Sequence, residues 1–105
     1  MSVAIFTGNR YITCGVGNEI PVELQMILWD MIDGDKQQGK TLDYLQIFKL
    51  RPIYENGVEM QEITHSQEQP RRRKKITIES GNPITAKIFV IDNADYVTML
   101  LNHEY

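Results

Sequence analysis

The sequence has little cysteine and no long apolar runs, and both absences restrict the class of protein. Its single cysteine, Cys14, has no partner for an internal disulfide, which predicts a cytoplasmic protein. No run approaches the roughly 18 apolar residues of a membrane-spanning helix. The first residues also lack the basic start and long apolar segment of a signal peptide, so we expect neither a leader nor a membrane anchor.

Size and composition predict one ordinary folded domain over residues 1–105. Residues of the set AVILMFWYC make up 42% of the chain and charged residues 24%, which excludes a collagenous or wholly disordered protein. A chain of this length buries roughly 60–65% of its unfolded surface. We therefore expect it to fold without a disulfide or a structural metal.

Charge is distributed unevenly along the chain. The net charge is −3, yet five of the eleven Lys and Arg residues are consecutive. This basic run consists of Arg71, Arg72, Arg73, Lys74 and Lys75. Because an unpaired charge is costly to bury, we expect the run in a solvated loop or at a strand end, as a positive area on an acidic protein.

Residues 21–33 have the pattern of an amphipathic helix. Pro21 suits the first helical position, and Asp33-Gly34-Asp35 is predicted to end the helix. One apolar stripe with helical spacing is expected to be buried, and it comprises Leu24, Ile27, Leu28, Met31 and Ile32. A second apolar series recurs at i, i+4 and i+7 on the opposite side, and it comprises Val22, Met26 and Trp29.

The remaining patterns are mainly those of β-strands. The predicted strands are 3–6, 10–16, 43–51, 75–79 and 86–92, with polar loops at 34–42 and 66–70. Residues 96–105 are either a last strand over their first half, which is favoured, or a helix capped by Asp95. Asn56-Gly57 signals a two-residue hairpin, in which Arg51 lies opposite Glu62 and Phe48 opposite His65. Pro52 then places that end of the strand at a sheet edge.

These elements predict an α+β fold. One N-terminal amphipathic helix packs on an antiparallel β-meander of about five strands. Partial closure of the sheet into a small barrel is one way to hide the edges of its outer strands.

Several blocks of the sequence together resemble a known family. They are Arg10-Tyr11-Ile12-Thr13, Asp43-Tyr44-Leu45-Gln46, His65-Ser66-Gln67-Glu68-Gln69-Pro70, Lys87-Ile88-Phe89-Val90-Ile91-Asp92 and Thr98-Met99-Leu100-Leu101. In this order they are similar to a small Gram-positive bacterial family of unknown function, first described for staphylococcal proteins. The resemblance implies a stand-alone cytoplasmic protein of Firmicutes, in some cases carried on mobile elements. It implies no reaction.

The basic run has a functional and a purely physical interpretation. Lys and Arg side chains bind phosphates with little dependence on base sequence. Aromatic residues would be needed to stack bases, and Tyr11, Tyr44 and Tyr54 are available, whereas Phe48 is predicted to point inward. The alternative is a solvated segment whose charges prevent a neighbouring strand from pairing with other chains.

No set of residues has the spacing of a catalytic or metal site. His65 with Glu68 and His103 with Glu104 are the nearest approach, but His65 and Glu68 point to opposite faces of a strand. His65 is therefore expected to be half-buried and hydrogen-bonded in a sheet, and Cys14 an apolar strand residue. The sequence predicts a protein that is not an enzyme and has no catalytic residue, metal or cofactor.

The second apolar series of the helix leads to the main functional hypothesis. Either the N-terminal segment wraps this side of the helix, or Val22, Met26 and Trp29 form an exposed interaction surface. In the second case the protein is a small cytoplasmic binding module without catalysis, which contacts a protein partner or forms a homodimer. The alternative is a nucleic-acid-binding accessory protein that uses residues 71–75; no membrane partner is expected.

Overall fold

The computed structural model describes residues 6–105, which form two α-helices and six β-strands. The strands are β1 (Asn9–Ile12), β2 (Leu45–Glu55), β3 (Val58–Glu68), β4 (Arg71–Glu79), β5 (Ala86–Asp92) and β6 (Tyr96–Leu101). The helices α1 (Cys14–Glu19) and α2 (Val22–Gln37) lie between β1 and β2, and a 3-10 turn (Asn102–Glu104) follows β6. Neither helix is long and apolar enough to cross a membrane, within the residues described.

The strands form one open sheet in the order β1-β6-β5-β2-β3-β4. All neighbouring strands are antiparallel except β1 and β6, which are parallel. The predicted α+β class is therefore confirmed, with two helices instead of one and six strands instead of about five, but the meander and the partly closed barrel are wrong. The meander fails because β5 pairs with β2 rather than with β4. Closure is unnecessary because the edge strand β4 carries the basic run, and such charges discourage pairing with another chain.

A buried glutamine holds the segment that crosses from β4 to β5. The side-chain oxygen of Gln61 accepts a hydrogen bond from the Ile84 N–H at 2.8 Å, and its Nε2 donates to the Ile84 carbonyl at 3.0 Å. Gln61 is fully buried, so its amide provides hydrogen bonds to backbone groups that would otherwise be buried without a partner. This contact fixes the path of the chain from β4 to β5, which was not predicted from the sequence.

The N-terminal part of the structure differs from the prediction of a strand over 10–16. β1 ends at Ile12, and the side chain of Thr13 caps α1 by accepting a hydrogen bond from the Val16 N–H at 3.2 Å. Cys14 is consequently an exposed helical residue instead of an apolar strand residue. The strand predicted at 3–6 lies largely outside the described residues, and Phe6 is a buried residue outside any strand.

Helix α2 continues past the predicted stop at Asp33-Gly34-Asp35 to Gln37. It ends instead in a Schellman motif, in which the Gly39 N–H donates to the Lys36 carbonyl and the Lys40 N–H to the Asp35 carbonyl. Gly39 has a φ of +74°, which glycine adopts without steric cost. The true stop signal was therefore Gly39, and the extra turn places Asp35 inside the helix.

The hairpin register is confirmed, including Arg51 opposite Glu62 and Phe48 opposite His65. Pairing of β2 with β5 ends at Leu50, so Pro52 lies where β2 has no partner on that side, as expected. The loop predicted at 66–70 is too long: β3 continues to Glu68 and β4 begins at Arg71, which leaves a two-residue turn at Gln69-Pro70. The basic run forms the first half of an edge strand.

The two helices pack on one face of the sheet, which we call the covered face. Residues of α2 such as Leu28 and Ile32 join Phe48, Ile63 and Val90 in one buried cluster. Along each strand the alternate side chains point to the opposite, open face. Within residues 6–105 no α-helix packs on that open face, and most of its side chains are partly or wholly exposed.

Candidate functional site

The open face carries a groove of about 930 Å³ over β2, β3, β4 and the start of β5. Seven of the eleven Lys and Arg residues line this groove, but only two of the fourteen Asp and Glu residues do. The cations whose side chains the strand alternation places on the open face are Lys49, Arg51, Arg71, Arg73, Lys75 and Lys87. A protein of net charge −3 thus has one strongly positive concave surface.

Strand register brings these cations together from distant parts of the chain. Lys87, Lys49, Thr64 and Lys75 lie side by side in one row across β5, β2, β3 and β4. Lys49 and Lys87 are direct cross-strand neighbours, an arrangement that is destabilising for like charges. Thr64 has a short side chain, so the surface of the row is recessed at Thr64, between the lysines on either side. An anion on this row would relieve the repulsion.

The two carboxylates of the groove leave most of its positive charge unbalanced. Glu62 accepts a hydrogen bond from the Nε of Arg51 at 2.7 Å and lies 3.8 Å from the Nζ of Lys75. The bond from Arg51 holds the pKa of Glu62 below its ordinary value. The remaining carboxylate, Glu68, and four of the cations have no ion pair among residues 6–105; those cations are Lys49, Arg71, Arg73 and Lys87.

The other half of the open face, on β1, β6 and β5, is aromatic. Tyr11 and Tyr96 meet edge to face with ring centres 5.7 Å apart, and Phe89 and Tyr105 do so at 5.5 Å. Tyr96 is 44% exposed and Tyr105 68% exposed. Lys87 connects the two halves, because its Nζ lies 5.7 Å from the centre of the Phe89 ring.

The basic run does not act as one patch, because it is a strand. Arg71, Arg73 and Lys75 point to the open face. Arg72 and Lys74 project on the other side, where each lies within 4 Å of the Asp35 carboxylate. The basic run is visible in the sequence, whereas Lys49, Arg51 and Lys87 were not predicted to be parts of the same surface. The hairpin register gave a signal for the first two, whereas the place of Lys87 depends on β5.

On the covered face, His65 is hydrogen-bonded as expected, but it is fully buried instead of half-buried. Its ring stacks on Phe48 with centres 4.3 Å apart, and its Nε2 lies 2.6 Å from the Oε1 of Gln46. Burial lowers the pKa of His65 to about 4, so the ring is neutral at pH 7. Glu68 lies on the open face and does not meet it. The described residues contain no cluster of three His, Cys, Asp or Glu side chains that could hold a metal.

A chain of amides sets the tautomer of His65. The Nε2 of Gln67 donates to the Thr41 and Pro70 carbonyls, so its oxygen accepts from the Nε2 of Gln46 at 2.9 Å. The oxygen of Gln46 is then left to accept from the Nε2–H of His65. The Nδ1 of His65 carries a lone pair instead of a proton.

That lone pair faces Asp35 across a polar cavity of about 190 Å³. The Nδ1 of His65 and the Oδ2 of Asp35 are 3.9 Å apart, and two acceptors cannot bond to each other. Lys40, Arg72 and Lys74 lie 3.5 to 3.9 Å from the carboxylate and compensate its charge. The cluster is thus a neutral histidine beside an aspartate that three cations surround.

The structure separates the three residues of the predicted interaction surface. Trp29 is half-buried against the core, and the guanidinium of Arg10 lies over its ring at 4.7 Å while pairing with Asp33. The side chain of Arg10, which belongs to β1, thus covers one face of the indole. Val22 and Met26 are 62% and 59% exposed.

The last residues are tied to the start of α1. The carboxylate of Glu104 accepts hydrogen bonds from the Thr13 hydroxyl at 2.6 Å and from the Leu101 N–H at 2.8 Å. The bond from Thr13 lowers the pKa of Glu104. Glu104 is therefore a structural group that connects β6 to α1, and His103 beside it is exposed.

Comparisons with known proteins agree with the architecture. A crystal structure of a protein of unknown function from Enterococcus faecalis superposes with a TM-score of 0.71 at 24% identity, covering 100% of this chain and 98% of that chain. At that identity the likeness shows the fold alone. No curated protein matches significantly. Residues 9–104 match the family described as Staphylococcal protein of unknown function (DUF960), and the chain belongs to that family.

Proposed function

We propose that this protein binds nucleic acid through the open face of its sheet. The observation that carries the proposal is that six of the eleven basic residues lie on the open face around one groove that only two carboxylates share. Phosphate groups neutralise such a surface, and binding releases the counterions that surround the nucleic acid. No catalytic step is part of the proposal.

The shape of the positive surface favours a chain of phosphates over a single small anion. The row from Lys87 to Lys75 crosses four strands, or about 14 Å at the usual spacing of about 4.8 Å between strands. Arg71 and Arg73 extend it along β4. An isolated phosphate would contact only part of this row, whereas consecutive phosphates of one strand can follow it.

The basic run provides a matched pair of variants for the test. Arg73→Gln removes one charge from the open face, and Lys74→Gln removes one charge from the next residue, which points to the other face. Binding of a labelled 20-nucleotide single strand and of the corresponding duplex is measured by fluorescence anisotropy at 50 and 200 mM salt.

For at least one nucleic-acid form, we expect Arg73→Gln to weaken binding and to reduce the salt slope of log K by about 0.7–0.9. Lys74→Gln should leave both quantities close to those of the wild type. Equal effects of the two variants would show that only net charge matters and would refute the open-face site. Absence of salt-dependent binding by the wild type would refute the function itself.

Protein–protein contact through α2 is a second candidate, supported by the exposure of Val22 and Met26 four residues apart on one helix. Trp29 contributes less than the sequence suggested, because Arg10 covers it. Light scattering after size-exclusion chromatography of the wild type and of Met26→Asp tests the homodimer. A dimer that the substitution dissociates supports it, and a monomeric wild type contradicts it.

A further inference from the structure

We infer that the nucleic acid bound by the open face is single-stranded, with its bases on the aromatic half and its phosphates on the cationic half. This inference rests on the proposed function and adds the class of ligand. The tyrosines of β1 and β6, which contribute no charge to the groove, point to this class of ligand.

The two halves form one continuous surface. A single cross-strand row runs from Leu100 through Phe89, Ile47 and Ser66 to Arg73, so it is apolar at one end and cationic at the other. Leu100 is buried, while Phe89 and Ile47 are only partly so. A ligand that follows this row must offer both a flat apolar surface and negative charge.

Single-stranded nucleic acid has both properties, and a duplex does not. In a duplex the bases are stacked on each other, so only phosphates and groove edges reach a protein surface. In a single strand each base has a free face that stacks on aromatic rings irrespective of base identity. Tyr96 and Tyr105 each belong to an edge-to-face pair and keep an accessible ring surface.

The aromatic half would otherwise be unexplained. Tyr11 and Tyr96 lie on the open face of neighbouring strands, where they cover no helix and join no buried cluster. Lys87 lies between the aromatic and the cationic halves, against the ring of Phe89. A phosphate at Lys87 would have its attached nucleoside within reach of that ring, which fits a backbone that runs along the boundary.

The test compares an open-face tyrosine with an exposed tyrosine elsewhere. Tyr96→Leu and Tyr105→Leu each remove a proposed stacking surface, and Tyr54→Leu is the matched control, because Tyr54 is 70% exposed and lies on the other face near the hairpin turn. Probes are a 20-nucleotide single strand, its duplex and polyglutamate, which has charge but no bases. Circular dichroism confirms that each variant is folded.

We expect the wild type to prefer the single strand to the duplex and to polyglutamate. Tyr96→Leu or Tyr105→Leu should weaken single-strand binding at least about fivefold, with little change for polyglutamate, and Tyr54→Leu should change neither. If all three variants bind the single strand as the wild type does, or if the duplex binds more tightly, the inference is wrong. The proposed function survives that result as long as Arg73→Gln still weakens binding more than Lys74→Gln.

Discussion

Acidification should destabilise this protein through one histidine. His65 is buried and neutral with a pKa of about 4, whereas in the unfolded chain its pKa returns to about 6.5. Between these two values the unfolded state binds more protons than the folded state. The free energy of unfolding therefore falls as the pH falls, and the contribution of neutral His65 is fully present only above about pH 6.5.

The size of the effect follows from the difference between the two pKa values. A shift of one pKa unit corresponds to about 1.4 kcal/mol, so the difference is worth roughly 3 kcal/mol between pH 7 and pH 4. Burial is the main cause of the shift, and Lys74, Arg72 and Lys40 act in the same direction, while Asp35 opposes them. The Oε1 of Gln46 accepts a hydrogen bond from the Nε2–H of His65, so Nδ1 is the nitrogen that binds the additional proton.

The assay is urea denaturation at several pH values between 7.5 and 4.5, for the wild type and for His65→Gln. Protonation of carboxylates such as Glu62, whose pKa is lowered, also reduces the free energy of unfolding in acid. Both proteins contain these carboxylates, so their effect cancels in the difference between the two stabilities. The stability advantage of the wild type over His65→Gln should shrink by roughly 2–3 kcal/mol across this range. The control variant, His103→Gln, removes an exposed histidine.

Two results would refute the reasoning. The first is a difference between wild type and His65→Gln that does not change with pH. The second is an NMR titration in which the ring protons of His65 in the folded protein shift with a midpoint near 6.5. Either would show that the histidine is solvated or that Asp35 stabilises its protonated form.

Two further predictions concern contacts of the N-terminal segment. Arg10→Ala removes the guanidinium above Trp29 and the ion pair with Asp33, so it should lower the free energy of unfolding by about 0.5–2 kcal/mol. It should also increase the quenching of the single tryptophan by acrylamide, and unchanged quenching would show that Arg10 does not cover the indole. In Gly15→Ala the new Cβ would lie 2.6–2.8 Å from the Glu104 carboxylate and displace it, at about 1–3 kcal/mol in urea denaturation. The cost should largely vanish in a Glu104→Ala background, and strict additivity would count against the clash.

The elements that could be predicted from sequence are those specified by nearby residues. Asn56-Gly57 sets the two-residue turn, and once the turn is known the whole register of β2 and β3 follows. The buried stripe of α2 is likewise a local periodicity. Asp33-Gly34-Asp35 misled because a glycine inside a helix costs only about 1 kcal/mol, which packing of Met31 and Ile32 offsets.

Features that depend on long-range contacts were not predictable in the same way. Nothing near Ala86 indicates that β5 pairs with β2, since the crossover is held by Gln61 from another strand. The same holds for the candidate site: the basic run is visible in the sequence, but its union with Lys49 and Lys87 exists only in the folded sheet. The loop at 66–70 was predicted from polarity, but Ser66 and Glu68 lie on the open face of β3 and the buried Gln67 has hydrogen-bond partners, so a strand tolerates these polar residues.

The parallel pairing of β1 with β6 has a consequence for how the molecule is made. Asn9 pairs with Tyr96, so the first strand leaves the ribosome long before its partner exists. The β2–β3 hairpin can form during translation, whereas β1 must wait until nearly all of the sheet is in place. A nascent or prematurely terminated chain that lacks β6 would therefore leave β1 unpaired and Trp29 without its cover, and such exposure is what cellular quality control recognises.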